Sequence, residues 1–144
     1  MSDYTIRPRQ AKDYRNGLPE VTELVSPDDK HMNGDAARIH DLTGCAMHRY
    51  VAVHEGEVIG TATLLTHPKL LHGGCKAGQI EEVAVREDWR GKGVGTDLVN
   101  TLMQLAKERG CYKVELKCVS ELTSLYEQSG FYLTRNVTMR WNCG

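Results

Sequence analysis

The sequence predicts a single domain of the α+β class, a mostly antiparallel mixed sheet with helices on both faces. Its 144 residues suit one hydrophobic core, and no repeat, linker or low-complexity segment divides residues 1–144. The predicted order of elements is β-α-α-β-β-β-α-β-α-β, with one crossover around the longest helix. This order differs from the regular alternation of a doubly wound nucleotide-binding sheet.

Apolar periodicity and backbone breakers predict the elements of the N-terminal half. Pro8 stops the first strand, and Gly17 weakens the helical pattern that follows it. The sequence Glu55-Gly56-Glu57 separates two strand patterns and predicts a hairpin. The predicted elements are a strand at 4–7, a helix at 13–25, a polar loop at 26–33, a helix from 36 to about 48, and strands at 49–54 and 58–66.

The C-terminal half contains the clearest helix of the chain. Its apolar residues, such as Val94, Leu98 and Leu102, recur at steps of three or four, and Gly110 ends it. The predicted elements are a loop at 68–78, a strand at 79–85, a helix at 93–109, a strand at 112–118, a short helix at 122–128, and one or two strands within 131–141.

Composition excludes several classes of function. A net charge of −1 gives no overall attraction to nucleic acid or anionic membranes, so any anion site must be local. The five cysteines include no Cys-x-x-Cys pair, which favours free thiols in a reducing compartment. The sequence has no apolar run of the roughly 20 residues that a membrane helix needs, no secretory signal and no Ser-Lys-Leu ending. We therefore expect a cytoplasmic location.

The glycine-rich loop at 90–95 carries the strongest functional signal. It reads Arg-Gly-Lys-Gly-Val-Gly and joins a β-branched strand to the longest helix. Uncovered backbone N–H groups at a helix N-terminus bind phosphate and diphosphate groups. A Walker loop would need a hydroxyl residue at Gly93, and a Rossmann loop would need its third glycine at Thr96 or Leu98. A plain surface turn that uses glycine for backbone freedom is the alternative.

This loop resembles the acetyl-CoA diphosphate loop of the GNAT superfamily of N-acetyltransferases. A second motif of that superfamily, Tyr-x-x-x-Gly-Phe, is present from Tyr126 to Phe131. The resemblance implies that acetyl-CoA is the co-substrate and that the Tyr126 phenol lies near its sulfur. A phenol with a pKa of about 10 is suited to protonate a departing thiolate. Core packing is the alternative role for this ring.

The same resemblance implies which residues contact acetyl-CoA. Backbone groups of the strand would meet the acetyl-pantetheine part, and the loop would hold the diphosphate. The implied residues are Val83, Ala84, Val85, Arg90, Gly91, Lys92, Gly93, Val94, Gly95 and Tyr126.

From Val51 onward the chain is similar to one branch of the superfamily, the eukaryotic-type glucosamine-6-phosphate N-acetyltransferases. The matching segments are Thr-Ala-Thr-Leu-Leu at 61–65, Lys-Leu-Leu-His at 69–72, Gly-Gln-Ile-Glu-Glu-Val-Ala-Val at 78–85 and Gly-Cys-Tyr-Lys-Val at 110–114. The resemblance implies acetyl transfer to D-glucosamine 6-phosphate, on the route to UDP-N-acetylglucosamine. It also implies a homodimer whose sugar site borrows residues from the partner subunit.

Charged residues of the matching segments suit an amino-sugar phosphate. Lys69 and His72 supply cations outside the donor loop, although a solvated loop would contain the same residues. Glu81 and Glu82 are adjacent, so they face opposite sides of a strand unless it bulges; two solvated carboxylates are the alternative. The expected substrate-binding residues are Ser26, Lys69, His72, Glu81, Glu82, Tyr112, Lys113, Lys117 and Arg140.

The expected mechanism is direct transfer with both substrates bound. A backbone N–H near Val83 would stabilise the oxyanion, and Glu81 or Glu82, through water, would accept the amine proton. Tyr126 would protonate the thiolate. Cys118 lacks a neighbouring histidine in the sequence, which disfavours a covalent acyl-enzyme. We expect no metal, because His67, His72 and Cys75 match no common zinc spacing.

Three positions depart from the branch pattern. Lys117 stands where the family has an acidic residue; the chain tolerates this if the family uses the main-chain carbonyl there, which we favour, and catalysis fails if the side chain is needed. Leu122 replaces an asparagine. Asn142 replaces a basic residue, and Arg140, on the same strand face, is expected to take over its phosphate contact.

Two other functions fit the sequence. The first is acetylation of another amine, such as a protein N-terminus, a polyamine or an aminoglycoside, for which an acidic cleft would be expected. The second is a non-catalytic acyl-CoA-binding sensor, which Lys117 and Leu122 would allow.

Overall fold

The computed structural model describes residues 3–24, 46–69 and 76–144. Five strands run in chain order: β1 (Thr5–Pro8), β2 (Ala46–His54), β3 (Glu57–Pro68), β4 (Lys76–Val85) and β5 (Cys111–Leu116). The α-helices are α1 (Leu18–Glu23), α2 (Val94–Glu108) and α3 (Thr123–Glu127), with 3-10 turns at Ala11–Tyr14, Glu87–Trp89 and Ser120–Leu122. Within the described ranges no helix is long and apolar enough to span a membrane.

The five strands form one mixed sheet in the order β1-β2-β3-β4-β5. The first three pairings are antiparallel, while β5 pairs with β4 in parallel because α2 carries the chain back across the sheet. The predicted class, a mostly antiparallel mixed sheet with one crossover, is confirmed.

Helices cover both faces of the sheet, as predicted. On one face α2 buries Val94, Leu98 and Leu102 against strand residues such as Ile59 and Leu64. On the other face α1 buries Leu18 and Val21 against Val51, Val58 and Ala84. Because strand side chains alternate between faces, one sheet supports two apolar layers.

The helix α2 sits unusually close to β3. Gly60 leaves the space, because a Cβ there would lie 3.0 Å from Val94 Cγ1 and 3.1 Å from Leu98 Cδ1. The helix spans Val94–Glu108, within one residue of the predicted 93–109 at each end. This contact fixes the N-terminus of α2 beside the end of β4.

Several predicted boundaries need correction. The strand predicted at 49–54 begins earlier: Ala46 to His48, expected as the end of a helix, pair with β3. The expected loop at 68–78 is shorter, because Pro68 ends β3 and β4 starts at Lys76. The 26–33 loop and the rest of the second predicted helix lie outside the described residues.

The strands predicted within 131–141 are wrong for this chain by itself. Residues 131–144 form no helix and no ladder pairing with the described strands. Their strand-like alternation is real, but a strand needs a neighbour to pair its backbone groups. The described residues of one chain do not supply that neighbour.

Candidate functional site

The strand β4 bulges where the two candidate carboxylates lie. Thr63 pairs with Glu81 and Thr61 pairs with Ala84, so Glu82 and Val83 together face one residue of β3. Glu82 has a φ of 54°, in the left-handed region that residues other than glycine rarely adopt. The extra residue brings the Glu82 side chain to the face of Thr63, the cross-strand partner of Glu81. The bulge therefore puts both carboxylates on one face.

The two carboxylates have different partners. A guanidinium N–H of Arg49 donates to Glu82 Oε2 at 2.6 Å, and Arg49 Nε donates to Thr63 Oγ1 at 3.1 Å. Glu81 instead accepts a hydrogen bond of 2.9 Å from the neutral amide of Gln79. One carboxylate is thus paired with a cation and the other with an amide.

A gap opens between β4 and β5 directly beside the bulge. Their pairing ends at Ile80 and Leu116, while β4 continues to Val85. The Arg86 N–H donates to the Ile59 carbonyl on the β3 side, so the backbone groups of Val85 point the other way. The Val85 carbonyl accepts a 3.1 Å bond from Arg90 Nε. The gap exposes the backbone that sequence analysis assigned to the donor.

The glycine loop at 90–95 forms an open candidate diphosphate site at the N-terminus of α2. Gly91 and Gly93 have φ values of 75° and 85°, and no described atom lies within 4 Å of a Cβ built on either. No described side chain caps α2. Lys92 is exposed, whereas Val94 is buried and Gly95 packs near Val85. Free N–H groups, the helix dipole and two cations suit a diphosphate.

An aromatic cluster anchors this loop to the rest of the sheet. The Trp89 ring meets Tyr4 edge-on at 6.2 Å and His54 at 4.7 Å, and Lys92 Nζ lies 4.8 Å from the Trp89 ring centre. The Tyr4 phenol donates to Asp97 in the first turn of α2; burial and this hydrogen bond raise the pKa of Tyr4 to about 12. These contacts attach the start of the glycine loop and the first turn of α2 to residues of the sheet.

Tyr126 lies on α3 and packs, partly buried, against the apolar layer that includes α2. Its ring meets Phe131 edge-on at 6.1 Å, and its carbonyl accepts N–H groups of Ser129 and Phe131. Burial raises the pKa of the phenol, and the nearby Cys118 thiol raises it further. The Tyr-x-x-x-Gly-Phe motif is therefore a tight turn that fixes a protonated phenol.

Only some of the expected acceptor residues lie together. Lys113 pairs with Glu115 at 2.5 Å and lies over the Tyr112 ring, with its Nζ 5.6 Å from the ring centre. The hydrogen bond from Lys113 lowers the pKa of Glu115, and Lys69 lowers it further, so Lys69 is also near β5. Lys117 is exposed beyond the end of β5.

The remaining acceptor residues are not assembled with these. Arg140 lies in the exposed segment 132–144, outside the sheet. Ser26 and His72 fall outside the described residues, as does Cys75 among the residues weighed for a metal; His67 is exposed near the end of β3.

Sequence reasoning missed Arg49 and the roles of Gln79 and Trp89. One signal was available for Arg49: it lies two residues before the buried Val51 on β2, so it takes an inward-facing position. A charged residue at such a position needs a partner. The sequence has no comparable signal for the bulge that brings Glu82 to Arg49.

Comparisons with known proteins identify the family and the fold of this chain. A model of the acetyltransferase (GNAT) family matches residues 13–131. A protein of Oryza sativa subsp. japonica named probable glucosamine 6-phosphate N-acetyltransferase 2 is 34% identical over 133 residues, 88% of this chain and 80% of that protein. The glucosamine 6-phosphate N-acetyltransferase of Candida albicans is 31% identical over 132 residues, 89% of each chain. The crystal structure of glucosamine-6-phosphate N-acetyltransferase from Arabidopsis thaliana superposes with a TM-score of 0.89 and 28% identity, over 99% of this chain and 100% of that one.

Proposed function

The chain belongs to the acetyltransferase (GNAT) family, and we propose that it transfers the acetyl group of acetyl-CoA to the amine of D-glucosamine 6-phosphate. The products are N-acetyl-D-glucosamine 6-phosphate and CoA. The observation that carries the proposal is the course of β4: its bulge presents Glu81 and Glu82, and the glycine loop at 90–95 begins five residues after β4 ends at Val85. Relatives named for this activity match most of the chain.

The donor side uses backbone more than side chains. The N–H groups of the loop at 90–95 and the N-terminus of α2 hold the diphosphate, with Arg90 and Lys92 as counter-charges. The backbone of Val83 and Val85, exposed in the gap after Ile80, takes the acetyl-pantetheine part. Ala84 contributes backbone only, because its side chain is buried against α1.

The acceptor side combines acids for the amine with cations for the phosphate. Glu81 and Glu82 face the amine, while Lys69, Tyr112 and Lys113 approach from the β5 side. Ser26, His72, Lys117 and Arg140 complete the proposed set. Arg49 pairs with Glu82 and Lys113 pairs with Glu115, so cations offset two of the carboxylates in this region.

The transfer is direct, with both substrates held in one site. The Val83 N–H stabilises the negative charge that develops on the carbonyl oxygen, and a β4 carboxylate accepts the amine proton through water. Tyr126 gives its proton to the leaving thiolate, for which its raised pKa keeps it protonated. Cys118 lies near Tyr126 rather than near a base, so no acyl-enzyme is invoked.

We further propose a homodimer built through the C-terminal segment 131–144. Apart from Arg135, its odd-numbered positions from 133 to 141 carry apolar side chains that one chain leaves exposed: Leu133, Val137, Met139 and Trp141 are 73%, 85%, 91% and 84% exposed. An alternating segment of this kind is expected to pair with a second copy and bury that face. Arg140 would then serve the partner subunit's sugar site.

The cellular context follows from the same reaction. The product is a precursor of UDP-N-acetylglucosamine, so we place the protein in amino-sugar synthesis. Cys111, Cys118 and Cys143 are free thiols, which fits a reducing cytoplasm.

A panel of amines tests the acceptor. Purified protein with acetyl-CoA is given glucosamine 6-phosphate, glucosamine, spermidine, an aminoglycoside or a peptide with a free N-terminus, and thiol release is followed. We expect the highest kcat/KM with glucosamine 6-phosphate. Faster release with another amine would favour a different acetyltransferase, and binding of acetyl-CoA without release on any amine would favour the sensor.

A further inference from the structure

The bulge in β4 is contacted by Arg49, a residue of a strand two positions away in the sheet. Its guanidinium reaches over β3, donating to Thr63 on the way and to Glu82 at the end. The Arg49 side chain is 12% exposed, and Thr63 is 2% exposed. The Glu82 side chain is 44% exposed, so the contact joins a mostly buried guanidinium to a carboxylate that solvent and substrate can reach.

The residue that Arg49 contacts, Glu82, has an unusual backbone conformation. Glu82 and Glu55 are the two described non-glycine residues with positive φ; Glu55 lies in the β2–β3 hairpin turn, but Glu82 lies inside a strand. A left-handed residue in a strand persists only where its surroundings fix it, and such residues concentrate at functional sites. Glu82 forms an ion pair of 2.6 Å with Arg49 through its side chain.

The same pairing separates the two carboxylates chemically. Glu82 accepts a hydrogen bond from a guanidinium, whereas Glu81 accepts one from a neutral amide. Two acids on one face with unlike partners are suited to unlike roles.

We propose that Arg49 is a positioning residue of the acceptor site: it fixes Glu82 as a charged group that binds and orients the sugar, and so leaves Glu81 to take the amine proton. This deepens the proposed function and rests on it. Arg49 itself touches neither substrate in this assignment. It acts through Glu82, so the two residues should behave as one unit.

A double-mutant cycle tests this unit. We expect Arg49→Gln and Glu82→Gln each to lower kcat/KM for glucosamine 6-phosphate by about 10- to 100-fold, as misplacement of a substrate-orienting group does. The double variant should have a kcat/KM for glucosamine 6-phosphate no lower than that of the less active single variant. The KM for acetyl-CoA should stay within about twofold of the wild-type value in all three variants. Independent effects that multiply in the double variant would overturn the proposal.

Conservative variants separate positioning from folding. Arg49→Lys keeps the charge but cannot reach both Thr63 and Glu82, so we expect partial rescue of kcat/KM. Thr63→Val keeps the shape and removes only the acceptor of Arg49 Nε, and it should raise KM for the sugar while acetyl-CoA binding is retained. Arg109→Gln, at the exposed end of α2, is the control for loss of a positive charge.

The outcomes also distinguish this inference from the proposed function. If wild-type protein acetylates glucosamine 6-phosphate and Arg49→Gln does so equally well, the role of Arg49 is refuted and the function stands. If wild-type protein does not acetylate the sugar at all, the proposed function is refuted first. Glu81→Gln should lower kcat more than either other single variant; a smaller loss contradicts the division of roles.

Discussion

Tyr126 is the residue whose environment most directly matches a chemical role. Its ring is half-buried between the turn that follows α3 and the apolar layer beneath α2. Burial, and then Cys118, raise the pKa of its phenol above the ordinary value of 10.0. The group is thus protonated over the whole range in which an amine acceptor can be assayed, and available as an acid.

Replacing Tyr126 with phenylalanine should reduce turnover while leaving the donor bound. We expect kcat to fall by about 10²-fold or more, the usual contribution of a positioned acid, with KM for acetyl-CoA nearly unchanged. Steady-state kinetics with both substrates varied gives the two quantities. Because the pKa of Tyr126 is raised, wild-type activity should show no alkaline loss from this phenol below pH of about 10. Unchanged kcat would remove Tyr126 from the mechanism.

Single residues also mark where sequence reasoning stops. The hairpin at Glu55 and Gly56 was predictable, because a two-residue turn with positive φ at both positions favours such a pair. The same left-handed φ at Glu82 was not, since it lies in a β-bulge, and the partner of the Glu82 side chain, Arg49, is on a strand distant in sequence. Adjacent glutamates allowed only the conditional statement that a bulge would bring them together.

At the level of elements, the two glycines that flank α2 allow the role of the glycine loop to be tested. Gly93 and Gly110 flank the helix with φ values of 85° and 81°, both in open space among the described residues. Replacing either with alanine should cost about 1–2 kcal/mol of the free energy of unfolding. Only Gly93→Ala should weaken the binding of acetyl-CoA, raising its Kd by about tenfold. The reason is that losing one hydrogen bond to a charged group costs roughly 1.5 kcal/mol or more.

Calorimetric titration with acetyl-CoA and urea unfolding of both variants give the comparison. Gly110→Ala is the matched control for backbone strain. Equal acetyl-CoA affinities in the two variants would mean that the loop at 90–95 does not hold the diphosphate.

The 3-10 turn at Ala11–Tyr14 depends on a buried carboxylate. Asp13 is 1% exposed and accepts hydrogen bonds of 2.8 and 2.7 Å from Arg7 and of 2.7 Å from the Gln10 N–H. Burial by itself would raise the pKa of Asp13, but these hydrogen bonds outweigh it and hold the pKa below its usual value. The charged form therefore stabilises the fold above the unfolded-state pKa and ceases to do so as the pH falls through the folded-state value.

Asp13→Asn should accordingly destabilise the protein in a pH-dependent way. We expect the free energy of unfolding at pH about 7 to fall by about 2–3 kcal/mol, the value of hydrogen bonds to a charged group. The difference from wild type should shrink below pH of about 4, where the unfolded carboxyl is protonated. Urea unfolding across that range measures it, and a difference that stays constant with pH would contradict the assignment to charge.

The elements themselves were largely predictable where a pattern is local. The helix α2 was located to within one residue at each end because its apolar period and Gly110 are both strong signals. Ala46 to His48 were misassigned, since three residues at the edge of a pattern do not distinguish a helix end from a strand start. The strand needed β3 as its partner, which the local sequence does not name.

At the level of the whole molecule, the segment 131–144 has a strand-like sequence but pairs with none of the described strands. Its alternation predicted strands, and the alternation is real, but its partner is absent from the described residues. A sequence pattern reports which face will be buried and not which copy will bury it. In the proposed dimer, this segment would carry Arg140 to the sugar site of the partner.

Two aspartates on the apolar face should therefore separate the subunits. Val137→Asp with Met139→Asp is expected to give a monomer by light scattering, with acetyl-CoA still bound and kcat/KM for glucosamine 6-phosphate strongly reduced. Thr138→Asp with Asn136→Asp, on the other parity of the same segment, is the matched control. A wild-type monomer with full activity would contradict the dimer.

The central claim is acetyl transfer to the amine of one sugar phosphate. Acetyl-CoA labelled with ¹³C in the acetyl group is incubated with glucosamine 6-phosphate, and the product is identified by NMR and mass spectrometry. We expect labelled N-acetylglucosamine 6-phosphate, one molecule for each thiol released, and much slower labelling of unphosphorylated glucosamine. Thiol release with no labelled sugar phosphate would contradict it.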